Sequence, residues 1–60
     1  MRLKQFDVVE IKNGNKAVIL EQKGKEYFAE TLDNLGNTLE YRNISVEEIE
    51  GLVFSKERER

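Results

Sequence analysis

Glycines at positions 14, 24 and 36 cut most of this 60-residue chain into pieces of strand length. Gly14 stands between Asn13 and Asn15, Gly24 between Lys23 and Lys25, and Gly36 before Asn37. Glycine and asparagine tolerate the positive φ that tight turns require. The runs between them are rich in Val, Ile, Thr, Tyr and Phe, types that fit a pleated, half-buried surface. The pattern predicts antiparallel strands at 6–12, 16–22, 26–32 and 38–44. Turns join them at 13–15, 23–25 and 33–37, and Gly36 suits the left-handed position of a three-residue hairpin loop.

After the fourth strand the pattern changes. Ser45-Val46-Glu47-Glu48 matches a capping box, in which Ser45 accepts from the Glu48 amide and Glu48 reaches back to the Ser45 amide. One helical turn ending near Gly51 is expected, then a short strand at 52–54. A competing reading runs a helix over 46–58, whose charges would suit the helix dipole. Gly51 and the β-forming Leu52-Val53-Phe54 favour the turn. Residues 1–54 read as a single domain and 55–60 as a charged tail that frays.

A chain this short buries only about 60% of its unfolded surface. Cysteine and histidine are both absent, so disulfides and ordinary zinc sites are excluded. Stability must come from the apolar residues, 38% of the chain, or from a partner. Ten basic residues against twelve acidic ones give a net charge of −2. Nucleic-acid binders normally carry a basic excess or a basic face, so this balance opposes a general nucleic-acid ligand. The opening residues lack the long apolar run of an export signal, and no stretch approaches the roughly 20 apolar residues of a membrane span. A cytoplasmic protein is expected, as the missing cysteines also fit.

The first two strands are apolar on both sides. With Lys12 opposite Lys16, Ile11 faces Ala17, Val9 faces Ile19, Glu10 faces Val18 and Val8 faces Leu20. With Gln22 opposite Glu26, Ile19 faces Ala29 and Leu20 faces Phe28. Opposed residues share a face. One face then carries Val9, Ile19 and Ala29 with Ile11, Ala17, Tyr27, Leu39 and Tyr41, and is assigned to the core together with Ile49. The other carries Val8, Leu20 and Phe28, flanked by Val18. Three accounts of this second row stand: cover by Leu3, Phe54 or a curled strand; an interface between copies; or a docking face for another protein.

Catalysis has little support. Without His or Cys, the commonest general base and the strongest nucleophile are missing. Glu47, Glu48 and Glu50, and Glu21, Glu26 and Glu30, read as solvated charge rather than a paired-carboxylate site. Glu30 and Glu40 are expected near Arg42 in a surface network worth under about 1 kcal/mol per pair. The glycines fit no phosphate-loop pattern, and 33–37 lacks the ligand spacing of a calcium loop. No cofactor or metal is expected. Lys12, Lys16, Lys23 and Lys25, with Tyr27, Phe28 and Tyr41 as stacking rings, give an alternative reading as a single-strand or RNA-binding surface.

The stretches FDVVEIKNGNKAVILE, YFAETLDNLGNTLE and ISVEEIEGL resemble the pattern DVVxLKDGxxGTVVE…YxVEFxDxxGxT…VxLxxI of small bacterial proteins with SH3-like barrels. Residues 9–19 also resemble the KOW motif of ribosome- and RNA-associated proteins, with Ala17 where that motif carries its second glycine. The resemblance implies an all-β fold: a small SH3-like barrel of about five antiparallel strands, with one short helical turn before the last. The function expected is that of a non-enzymatic protein-interaction or accessory module, bacterial or phage-borne, contacting another protein or its own copy through Val8, Val18, Leu20 and Phe28.

Overall fold

The structure, a computed structural model, describes residues 3–55. Its elements run β1 (Val8–Ile11), β2 (Lys16–Lys23), β3 (Glu26–Leu32), β4 (Thr38–Ser45), a 3-10 turn (Val46–Glu48) and β5 (Ile49–Phe54). All ladders are antiparallel, and the sheet order is β4-β3-β2-β1-β5. The architecture is all-β and the sheet is open: among the described residues no ladder joins β4 to β5. The helix considered over 46–58 does not form, because β5 already pairs with β1 from Ile49. Residues 56–60 of the charged tail lie outside the described residues.

Each hairpin is shaped by its glycine. Gly14 sits at φ 92° and its N–H donates to the Ile11 carbonyl, while the Ile11 N–H donates to Asn15. The loop is therefore Lys12-Asn13-Gly14, one residue earlier than the sequence spacing predicts, and it closes on Asn15. Val8 pairs with Val18, Val9 with Ala17 and Glu10 with Lys16, two residues away from the expected register. A two-residue slip keeps every side chain on its face, since the strand period is two.

The second hairpin closes Lys23 on Glu26, leaving only Gly24 and Lys25 in the loop. Ile19 still faces Ala29, as expected, so one residue of β2 must be absorbed between them. That residue is Leu20: Glu21, not Leu20, stands opposite Phe28. A β-bulge of this kind bends its strand and strengthens the local twist. The third loop is capped by Asp33, whose Oδ1 accepts from the Leu35 and Asn37 amides at 2.9 and 2.8 Å. A second irregularity follows at Leu39, between the Leu32–Thr38 and Thr31–Glu40 pairs.

The core lies on one side of the sheet. Leu3, Val9, Ile11, Ala17, Ile19, Tyr27, Ala29 and Ile44 are buried, with Ile49 and Leu52 packed against them. Leu39 and Tyr41, expected in this core, are 52% and 59% exposed. The bulge at Leu39 resets the phase of β4: Glu40, Arg42 and Ile44 now face Thr31, Ala29 and Tyr27, and Tyr41 turns to the other side. Leu3 joins the core cluster instead of covering the second face. It is carried there by a turn in which Asp7, itself buried, accepts from the Lys4 amide at 3.0 Å.

Candidate protein-interaction face

The side of the sheet away from the core carries a continuous cross-strand row. Phe54 pairs with Val8, Val8 with Val18, Val18 with Glu30, and Glu30 with Tyr41. The row thus crosses all five strands in the order β5-β1-β2-β3-β4. Val8 and Val18 are half-buried and Phe54 is exposed. Phe28, two residues along β3 from Glu30, stacks on Tyr41 with ring centroids 6.4 Å apart and planes at 23°. Glu30 therefore sits between an aliphatic half and an aromatic half, and its carboxylate accepts from the Thr38 hydroxyl.

Of the four residues predicted for contact, the structure brings Val8 and Val18 into direct opposition. Phe28 shares their face at the far end, and Leu20 lies half-buried at the bulge. Phe54, one of the covers that the sequence offers for this row, does lie on this face beside Val8, whereas Tyr41, expected on the core side, also belongs to it. Phe54 beside Val8 follows only from the long-range β1–β5 ladder, and Tyr41 only from the bulge at Leu39. Phe6 is also exposed, at 47%, and it holds φ 71°. For a bulky side chain that is an unusual conformation.

The lysines do not gather. Lys12, in the first loop, and Lys16 lie at one end of β2, and Lys23 and Lys25, the latter in the second loop, lie at the other, roughly 25 Å of strand apart. Glu21 stands 3.9 Å from Lys23. Lys25 lines a hollow of about 590 Å³ with Glu26, Tyr27, Val46 and Glu47. Neither end forms an uninterrupted basic stripe.

The charge network differs from the expected one. Arg42 pairs with Glu40 at 3.4 Å and with Glu48 at 2.8 Å, while Glu30 lies on the opposite face. The Glu48 carboxyl is held below its ordinary value, chiefly by the Arg42 guanidinium and then by the Ser45 N–H. The same contact raises Arg42. Among the described residues no helix is long and apolar enough to cross a membrane. Compared with protein-family models, curated proteins and solved structures, the chain matches none.

Proposed function

We propose that this chain is a small non-enzymatic interaction module of SH3-like architecture, and that its outer sheet face binds another protein. The placement of β1 between β2 and β5, the 3-10 turn before β5 and the bulges that bend β2 and β4 support the SH3-like reading of the open sheet. The carrying observation is the row Phe54-Val8-Val18-Glu30-Tyr41, with Phe28 stacked at its end. Apolar side chains of this size on the side opposite the core are what a docking face requires. The embedded Glu30 carboxylate selects a partner whose apolar surface surrounds one basic group, since an unpaired charge in such a contact would be costly.

The test is affinity capture from the source cell with the wild type, Val18→Lys and Lys12→Ala/Lys16→Ala, each checked for folding by circular dichroism. A protein captured by the wild type and the double-alanine variant but lost with Val18→Lys supports the reading. Capture that depends on Lys12 and Lys16, or that is abolished by nuclease, overturns it in favour of nucleic acid.

A further inference from the structure

The sheet has two edges, and they are not alike. β5 meets β1 through two register irregularities, between Val8 and Val9 and between Glu10 and Ile11, and it contains Gly51. Bulges of this kind twist an edge away from further pairing. β4 has one irregularity, at its start, and then pairs residue by residue with β3 from Glu40 to Ser45. Among the described residues nothing pairs with its other side. It carries neither proline nor lysine; its two charged residues, Glu40 and Arg42, have opposite signs and stand on the core-side face, opposite Thr31 and Ala29. Instead it exposes Leu39 and Tyr41.

We propose that β4 is the self-association edge of this protein, pairing antiparallel with β4 of a second copy about a two-fold axis at Tyr41. Any two-fold contact must be self-complementary, and the order Glu40-Tyr41-Arg42 satisfies that condition. With Tyr41 opposite its symmetry mate, Glu40 of each copy stands opposite Arg42 of the other. Both pairs lie on the face that also holds Thr31 and Ala29. Within the chain Arg42 contacts Glu40 through Nε at 3.4 Å and Glu48 through Nη2 at 2.8 Å, so Glu40 and Arg42 of the two copies would alternate around the axis with a Glu48 behind each Arg42. On the other face the two Tyr41 rings meet, each backed by its own Phe28. Two outer faces would then join into one ten-stranded surface. This assembly shares Tyr41 and its Phe28 neighbour with the outer-face row but pairs through backbone groups of β4, so Val18→Lys, at the aliphatic end of that row, separates the two readings.

The edge contact is small, so association should be weak and concentration-dependent. Sedimentation of the full chain from about 10 μM to about 1 mM covers the affinities expected of such an edge. The mass should rise from 7.0 kDa towards twice that value. Tyr41→Lys, which sets two ammonium groups opposite each other at the axis, should hold it at the monomer while circular dichroism stays unchanged. Glu40→Arg alone faces Arg42 of its mate, and Arg42→Glu alone faces Glu40, so each should sediment as a monomer whose circular dichroism matches the wild type, a check that Arg42→Glu needs because it also breaks the contact with Glu48. Mixed in equal amounts, the two carry complementary charges at both contacts and should recover the dimer, with recovery weakened by salt. A wild type that stays monomeric throughout the range overturns the proposal. So does a dimer that survives Tyr41→Lys and is lost with Val18→Lys, which would seat the second copy on the outer face and leave that reading intact.

Discussion

Arg42 of β4 holds Glu48 of the 3-10 turn with two hydrogen bonds, Nη2 to Oε1 at 2.8 Å and Nη1 to Oε2 at 3.4 Å. Glu48 accepts in addition from the Ser45 N–H at 3.2 Å, so one carboxylate ties strand, cap and turn together. The Glu48 carbonyl also accepts from the Lys12 N–H at 2.9 Å, which anchors the turn to the first hairpin.

Glu48 titrates below its usual 4.5 in the folded state. The stability it supplies is therefore fully present above the unfolded value and is lost as pH falls through the folded one. Glu48→Gln should lower the urea unfolding free energy at neutral pH by about 0.5–1 kcal/mol, the range for a partly exposed pair. It should also flatten the loss of stability below pH 4.5. Asp33, lowered chiefly by the Asn37 amide, should supply part of the acid limb that remains. An acid limb identical in wild type and variant would refute the role given to Glu48.

Ile19 and Ile44 are buried side chains on neighbouring halves of one core. Truncating either to Ala should cost about 2–5 kcal/mol. Against a total of about 5–15 kcal/mol, each variant should melt far below the wild type or fail to fold. Leu39→Ala should change the urea midpoint little, because Leu39 is mostly exposed. Equal effects at Ile44 and Leu39 would contradict the phase of β4.

Gly14 and Gly51 should respond oppositely to alanine. A Cβ at either position meets nothing within 4 Å, so crowding does not distinguish them. Gly14 holds φ 92° and Gly51 no positive φ. Gly14→Ala should destabilise by about 1 kcal/mol or more through backbone strain, whereas Gly51→Ala should stabilise by about 0.4–1 kcal/mol by restricting the unfolded chain. Thermal melts of the two variants check both signs.

Binding to single-stranded nucleic acid should be weak and vanish at physiological salt, because Lys12 and Lys16 are separated from Lys23 and Lys25 by the length of β2. Fluorescence anisotropy with labelled single strands measures this. Sequence-selective binding that persists in salt and is lost with Lys12→Ala/Lys16→Ala would revive the nucleic-acid reading.

Strand positions were legible because Gly14, Gly24 and Gly36 mark the three turns, and the Ser45–Glu48 spacing marks the 3-10 turn. The core was legible through Val9, Ile11, Ile19 and Ala29, since alternation survives a two-residue slip. The partners across the ladder were not. Whether Gly14 or Asn15 ends the first loop, and whether Lys23 belongs to the second, depends on backbone dihedrals that residue types only weakly specify. The bulges at Leu20 and Leu39 leave no composition signal, so the Leu20–Phe28 contact and the core placement of Tyr41 were misjudged. Phe54 beside Val8 rests on a long-range ladder that no local pattern encodes.

That ladder also sets the order of folding. The three hairpins of β1–β4 close between near neighbours in the chain, but Ile11 meets Ile49 and Val8 meets Phe54, 38 and 46 residues away. Contacts between distant residues bear the larger loop-closure cost and form late. Because β1 precedes β5 in the chain, its second ladder stays unfilled until Ile49–Phe54 have been made. Truncating Leu52 should then speed unfolding while scarcely slowing folding, and truncating Ala29 or Ile44 should slow folding itself. The chain's earliest strand is the last to be enclosed.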